Sequence, residues 1–149
     1  PRAVIVPFRR MDAKFLRKTI RLAKYAAAKG EVPVGAVVVN SSGVILGAGW
    51  NVRERQGRVS GHAEIIALER ASQRIGSWRL DRQAPTLYVS IKPCAMCLAA
   101  AAQSRIARIV FAGSNYMTDP VVKEILQLEH AELQAASVGL LQSFFRERR

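Results

Sequence analysis

Cysteine and histidine are scarce: the 149 residues hold two of each. Two cysteines leave no disulfide framework to build. Acidic residues are scarce as well, with 11 Asp plus Glu against 23 Lys plus Arg, for a formal charge of +12. That balance favours a polyanionic partner, the plainer alternative being a basic, soluble surface. No apolar run reaches the roughly 18 residues that mark a membrane span, so no membrane partner is expected. The opening stretch from Pro1 to Pro7 is too short for a signal peptide and lacks its layout. Repeats, low-complexity tracts and linkers are missing too, so residues 1–149 read as one domain with 1–11 as an N-terminal arm. Half of the residues are hydrophobic, enough for a real core. A cysteine pair without a secretory signal predicts a reducing, cytoplasmic setting and a metal or redox site.

The apolar pattern alternates between helix and strand. Leu16, Ile20, Ala23 and Ala27 recur at helical spacing, with Asp12 placed to cap the start and Gly30 to end the helix. Residues 34–39 form a continuous apolar run that suits a strand covered on both faces. Asn40-Ser41-Ser42-Gly43 reads as a hairpin turn into a second strand, 44–50. A polar, basic loop is expected over 53–60, then a helix from His62 to about Ile75, stopped by Gly76. A strand over 87–91, an alanine-rich helix over 94–103 and a strand over 106–111 follow. Asp119-Pro120 has the composition of a helix start. Residues 131–138 read as a weak strand or continued helix, and 140–149 as a terminal helix. This alternation implies a layered α/β sheet, mixed because its first two strands form a hairpin.

Both cysteines lie in Pro93-Cys94-Ala95-Met96-Cys97, spaced as paired metal ligands. At a helix start, unpaired N–H groups and the positive dipole end favour thiolate, the form that binds metal. Pro93 precedes the helix, where its missing N–H costs little. Buried apolar cysteines, or a thioredoxin-like dithiol, would share this local pattern. The segment Gly61-His62-Ala63-Glu64 separates them, because a dithiol oxidoreductase has no use for it. His62, Cys94 and Cys97 supply zinc with three ligands and leave the fourth position for water, an open arrangement unlike a structural site. Glu64, two residues past His62, is placed to take a proton from that water and return it to a substrate nitrogen. Ideal helix geometry sets the two side chains about 200° apart around the axis. His130, within Leu128-Glu129-His130-Ala131-Glu132, is the competing ligand and reads as solvent-facing.

A His-x-Glu segment followed by Pro-Cys-x-x-Cys is the signature of zinc nucleobase deaminases. Around it the chain resembles the bacterial tRNA-specific adenosine deaminases. The likeness extends over Glu31-Val32-Pro33-Val34-Gly35-Ala36-Val37-Val38-Val39, Gly49-Trp50-Asn51, Ser104-Arg105-Ile106, Val110-Phe111 and the ending Leu140 to Arg146. It spans roughly residues 14–112 and the last ten residues. The resemblance implies a three-layer α/β/α cytidine-deaminase-like fold with a mixed sheet of about five strands, one zinc per subunit and a homodimer. It implies that Asn51 contacts the substrate ribose or base, that Val32, Pro33 and Ala36 line the base pocket with Pro93, and that the Ala63 N–H helps hold the base. The reaction implied is conversion of the wobble adenosine of a tRNA anticodon to inosine. The chain departs from the family in three places: Lys92 stands where Glu is usual, residues 112–118 lack an Asp/Lys/Gly-containing segment, and 119–140 is short.

A basic surface for RNA is expected from Arg53, Arg55 and Arg58 in the loop before His62, and from Arg146, Arg148 and Arg149 at the end. An anticodon loop is single-stranded, so its base is splayed out cheaply. Two other readings use the same zinc residues. One is a deaminase of a free base or nucleotide (guanine, cytosine, cytidylate) or of another single-stranded nucleic acid; a small-molecule enzyme has less need of so much charge. The other is a non-catalytic zinc-containing RNA-binding protein, which leaves the open coordination position and Glu64 unexplained.

Overall fold

The computed structural model describes residues 9–113 and 131–148. Four strands, β1 (Gly35–Val39), β2 (Ile45–Trp50), β3 (Thr86–Ile91) and β4 (Arg108–Gly113), form one sheet in the order β2-β1-β3-β4. Strand β1 runs antiparallel to β2 and β3, and β3 runs parallel to β4, so the sheet is mixed. Four strands stand among the described residues against the five or so expected. The helices are α1 (Arg10–Ala28), the single turn α2 (Arg53–Gln56), α3 (Ala63–Ile75), α4 (Ala95–Gln103) and α5 (Ala131–Arg146).

Strand β1 shows why the layers number three. All five of its residues are buried. Successive side chains of a strand point to opposite faces, so Ala36 and Val38 join the core with Ala63, Ala67 and Ala71 of α3. Val37 and Val39 join Phe15, Leu16 and Ile20 of α1 and Leu133 of α5 on the other face.

The α3 face is held by an absence of side chains. A Cβ at Gly47 would collide with the Ala67 carbonyl and lie 2.6 Å from the Ala71 nitrogen; one at Gly49 would collide with the Ala63 carbonyl. Two strand glycines facing alanines four residues apart let the α3 backbone lie directly on β2, which locates the start of α3. The opposite face is closed by a buried polar clamp. Asp12 accepts bonds from Arg108 Nη1 and Nη2, each at 2.7 Å, and from the Tyr88 hydroxyl at 2.7 Å. A bidentate guanidinium–carboxylate pair is among the stronger hydrogen-bonded arrangements.

Several expectations change. Asp12 is not the cap of α1: Arg9 is, and Asp12 sits in the first turn, its Oδ2 accepting the Arg9 N–H at 2.6 Å. The clamp draws its carboxylate inward. Residues 10 and 11 of the expected arm are already helical. The expected loop 53–60 contains α2. Strand β4 begins at Arg108 rather than 106, because Arg105 takes φ +65° and the Ile106 N–H bonds the Ala101 carbonyl, finishing the turn after α4. Residues 131–138 continue as helix into α5. Gly30 and Gly76 end α1 and α3 with φ of +81° and +73°, as expected. Asp119-Pro120, His130, Arg149 and residues 1–8 lie outside the described residues.

Candidate metal centre and active site

His62 and Cys94 occupy equivalent places: each is the N-cap of its helix, with extended backbone. Cys97 lies one turn into α4 and is buried, while Cys94 is exposed. His62 Nδ1 stands 3.7 Å from Cys94 Sγ and 3.6 Å from Cys97 Sγ. Among the described residues these three form the one cluster of donors with metal-binding geometry. Donors bonded to one tetrahedral zinc, at about 2.0 Å for nitrogen and 2.3 Å for sulfur, lie roughly 3.6 Å apart. The His62 nitrogen therefore already stands from both sulfurs at the separation that zinc requires.

Their electrostatics agree. The hydrogen bond with Cys97, followed by that with His62, pulls the Cys94 thiol down to about 3. The bond with Cys94 keeps the proton on Cys97, whose thiol is pushed up by that bond and by burial. His62 is raised, chiefly through its bond with Cys94. One negative charge is thus shared among two sulfurs, and a metal cation displaces the remaining protons.

Glu64 is 3% exposed. Burial raises its carboxyl above the ordinary range, and it lies in hydrogen-bonding reach of the Cys97 thiol. The wide divergence from His62 expected of a regular helix does not keep the two apart. His62 precedes the helix in extended conformation, with φ −81° and ψ 145°, so its ring swings to the same sulfurs.

The other expected site residues fall into two groups. Ala36 and Ala63 are wholly buried, their side chains in the core cluster on the α3 face. Pro33 and Pro93 are buried, and Val32 is half-buried. Asn51 is 8% exposed, and its Oδ1 accepts the Arg53 N–H at 3.0 Å. Glu31 is a residue whose individual role the sequence left unread. It is completely buried, and its two carboxylate oxygens accept the N–H groups of Arg55 at 2.7 Å and Glu54 at 3.1 Å. Asn51 and Glu31 together satisfy three successive amides of α2. The Val52 N–H then bonds the Gly61 carbonyl at 2.9 Å, which closes the loop just before His62. An acidic residue three positions ahead of the apolar run 34–39 was the available signal.

The description of the cytidine and deoxycytidylate deaminase zinc-binding region matches residues 9–113, more than half of the chain. The chain belongs to this family. The deaminase is 38% identical over 149 positions to the tRNA-specific adenosine deaminase of Haemophilus influenzae, covering 93% of this chain and 85% of that one. It superposes, with a TM-score of 0.74 and 26% identity, on a structure from studies of A-to-I editing by tRNA:A34 deaminases at the wobble position of transfer RNA, covering 87% of this chain and 99% of that one. A guanine deaminase from Bacillus subtilis matches at TM-score 0.63 and 29% identity, over 91% of this chain and 74% of that one. The deaminase's metal is zinc, in keeping with the donor set of two sulfurs and one imidazole.

Proposed function

We propose that the protein is a zinc-dependent hydrolytic deaminase converting adenosine to inosine at the wobble position of a tRNA anticodon loop. The observation that carries the chemistry is an open three-donor site beside a buried, non-ligating carboxyl. Likeness to a tRNA-specific adenosine deaminase over nearly the whole chain supports the substrate.

His62, Cys94 and Cys97 hold the metal. Zinc bound there supplies the Lewis acidity that makes water a nucleophile at neutral pH. In the reaction the exocyclic amine leaves as ammonia and water oxygen replaces it. Glu64 moves the protons: its carboxylate accepts one from water and its carboxyl donates one to the substrate nitrogen. Burial suits it to this exchange, since a raised carboxyl lies nearer neutral pH and gives up its proton less readily. Asn51 and Pro93 stand on the loops entering α2 and α4, where the resemblance puts substrate contacts.

RNA binding is supported by the placement of charge. Arg53 and Arg55 are exposed on α2, and Arg58 follows in the same loop. Arg148 packs its guanidinium 3.6 Å from the Phe144 ring centre and reaches Gly30, bringing the chain's end to the turn before Glu31. A homodimer is supported by α4, which leaves Ala95, Met96, Ala99 and Ala102 exposed as an apolar face. A tRNA substrate supports a cytoplasmic setting. Among the described residues no helix is long and apolar enough to cross a membrane.

The test offers purified, zinc-loaded protein an anticodon stem-loop, single-stranded DNA and the free nucleosides and bases, and identifies products by mass. Inosine formed in the stem-loop far faster than from free adenosine is the expected result, because phosphate contacts remote from the reacting base contribute to transition-state binding. Efficient turnover of free guanine, cytosine or cytidylate with an inert stem-loop would overturn the reading.

A further inference from the structure

A recess opens beside the loop that leads to His62. Its volume is about 270 Å³, and its walls include Tyr25, Lys29, Trp50, Arg55, Arg58 and Arg70. Small-molecule pockets begin at roughly 300 Å³, so this cleft has room for a single unit of a polymer and no more.

Its chemistry is basic and aromatic together. Lys29, Arg55, Arg58 and Arg70 line it, and the acid on its wall among the described residues is Glu31, whose oxygens are engaged by the Glu54 and Arg55 amides. The Tyr25 and Trp50 rings meet edge to face at 5.1 Å. Arg70 lies over the Trp50 ring at 5.0 Å, and Lys29 Nζ is 5.4 Å from the Tyr25 ring centre. Two of the cations are held in place. Arg70 Nη1 donates to the Ala48 carbonyl at 2.8 Å, and Arg58 pairs with Glu69 at 3.5 Å and Gln56 at 3.2 Å. Tyr25 is 47% exposed, an open ring beside positive charge. Aromatic platforms with flanking cations bind single-stranded nucleic acid, the ring taking a base and the cations the phosphate. A duplex keeps its bases stacked on each other and cannot use such a platform.

Asn51, which the resemblance places against the substrate, lines the cleft and directly follows Trp50. We propose that the Tyr25–Trp50–Arg70 cleft holds a nucleotide flanking the one that is deaminated, its base against Tyr25 and its phosphate among Lys29, Arg55 and Arg58. This rests on the nucleic-acid reading of the function. It adds a recognition site walled by α1, β2, α3 and the α2 loop, whose lining includes none of His62, Cys94 and Cys97.

The chain has two tryptophans, so Trp78→Phe leaves Trp50 as the single reporter. Zinc-loaded Trp78→Phe protein is titrated with an anticodon stem-loop while Trp50 fluorescence, binding and deamination are followed. Saturable quenching of Trp50 is expected. Adding Tyr25→Ala weakens stem-loop binding at least about fivefold, the low end for one stacked base. Adding Lys29→Ala lowers the log–log salt slope by about 0.7, one phosphate contact on a single strand. Both positions are exposed, Tyr25 on α1 and Lys29 just past its end, and zinc content and melting temperature confirm that the variants are folded. If the stem-loop is bound and deaminated while Trp50 stays silent and both variants bind like the parent, the cleft is no binding site and the proposed function stands. If the stem-loop neither binds nor reacts, both proposals fall together.

Discussion

Where α3 crosses β2 the contact is made of glycine and alanine, and where α1 and α5 cross β3 and β4 it is made of Phe15, Tyr88, Leu133 and the Asp12–Arg108 pair. Backbone lying on backbone has little freedom to slide, so the first contact locates a helix start closely. Large side chains repack around small changes, so the second contact supplies stability and tolerates shifts of the chain. The metal donors hang from the tightly located layer: His62 caps α3, and Cys94 caps α4, which packs against it. The clamp layer carries no donor among the described residues. Placing the chemistry and holding the fold are thus assigned to different faces of one sheet.

The sharpest break of that division is at the metal. A Cys94→Ser, Cys97→Ser double variant is expected to lose zinc and fall to background activity. Elemental analysis and a rate assay check this together, and full zinc retention would refute the ligand set. Glu64→Gln comes next. It should keep zinc and melting temperature while losing about 10²- to 10⁴-fold in kcat; near-normal turnover removes Glu64 from the mechanism.

On the opposite face, Asp12→Ala leaves Arg108 buried without its carboxylate, at a cost of roughly 3–5 kcal/mol. For a chain of this size that is a fall of about 10 °C or more in Tm, with the rate per folded, zinc-loaded molecule unchanged. A rate loss without a Tm loss would reverse the assignment of roles. Gly49→Ala tests the α3 contact and should cost about 1–3 kcal/mol by overpacking. Because it displaces the helix that carries His62, it should lower zinc affinity more than Asp12→Ala does. Equal zinc affinity in the two variants would end the distinction between the faces.

The smallest effect is in pH. Burial pushes the Asp12 carboxyl up, but Arg108, the Arg9 amide and Tyr88 together outweigh it and leave it below the ordinary 3.8. A carboxyl lowered in the folded state contributes stability above its unfolded value, and loses it as the pH falls through the folded value. The stability gap between the parent and Asp12→Ala should therefore be constant from neutral pH down to about 4 and narrow below that. A gap that widens with acid would contradict the clamp.

Much of this was readable in the chain. The helical spacing around Leu16 and Ile20, the run 34–39, the turn at 40–43 and the stops at Gly30 and Gly76 all appear where the pattern puts them, because period and backbone freedom are local properties. The parts that were not readable are non-local. Arg108 falls inside the expected strand 106–111, where nothing local marks it as the buried partner of Asp12, 96 positions away. The segment 53–60 reads as a polar, basic loop, and α2 forms there because Glu31 and Asn51 reach its amides from outside the segment. Tyr25 falls within the first helical segment and Trp50 at the end of the second strand, with nothing local to join them; the packing of α1 beside β2 brings both to a basic cleft.

At the site itself the division runs between identity and convergence. Which donors bind, that they are two sulfurs and one imidazole, and that a carboxyl stands two residues from the imidazole follow from residue types and short spacings alone. That Nδ1 of His62 comes within 3.7 Å of sulfurs 32 and 35 positions later does not. It depends on β2 and β3 ending at one edge of the sheet, on glycines that let α3 lie against the strands, and on a buried Glu31 that ties down the loop between them. Such closures over long stretches of chain cost entropy that local pattern cannot recover, and the packed core supplies it.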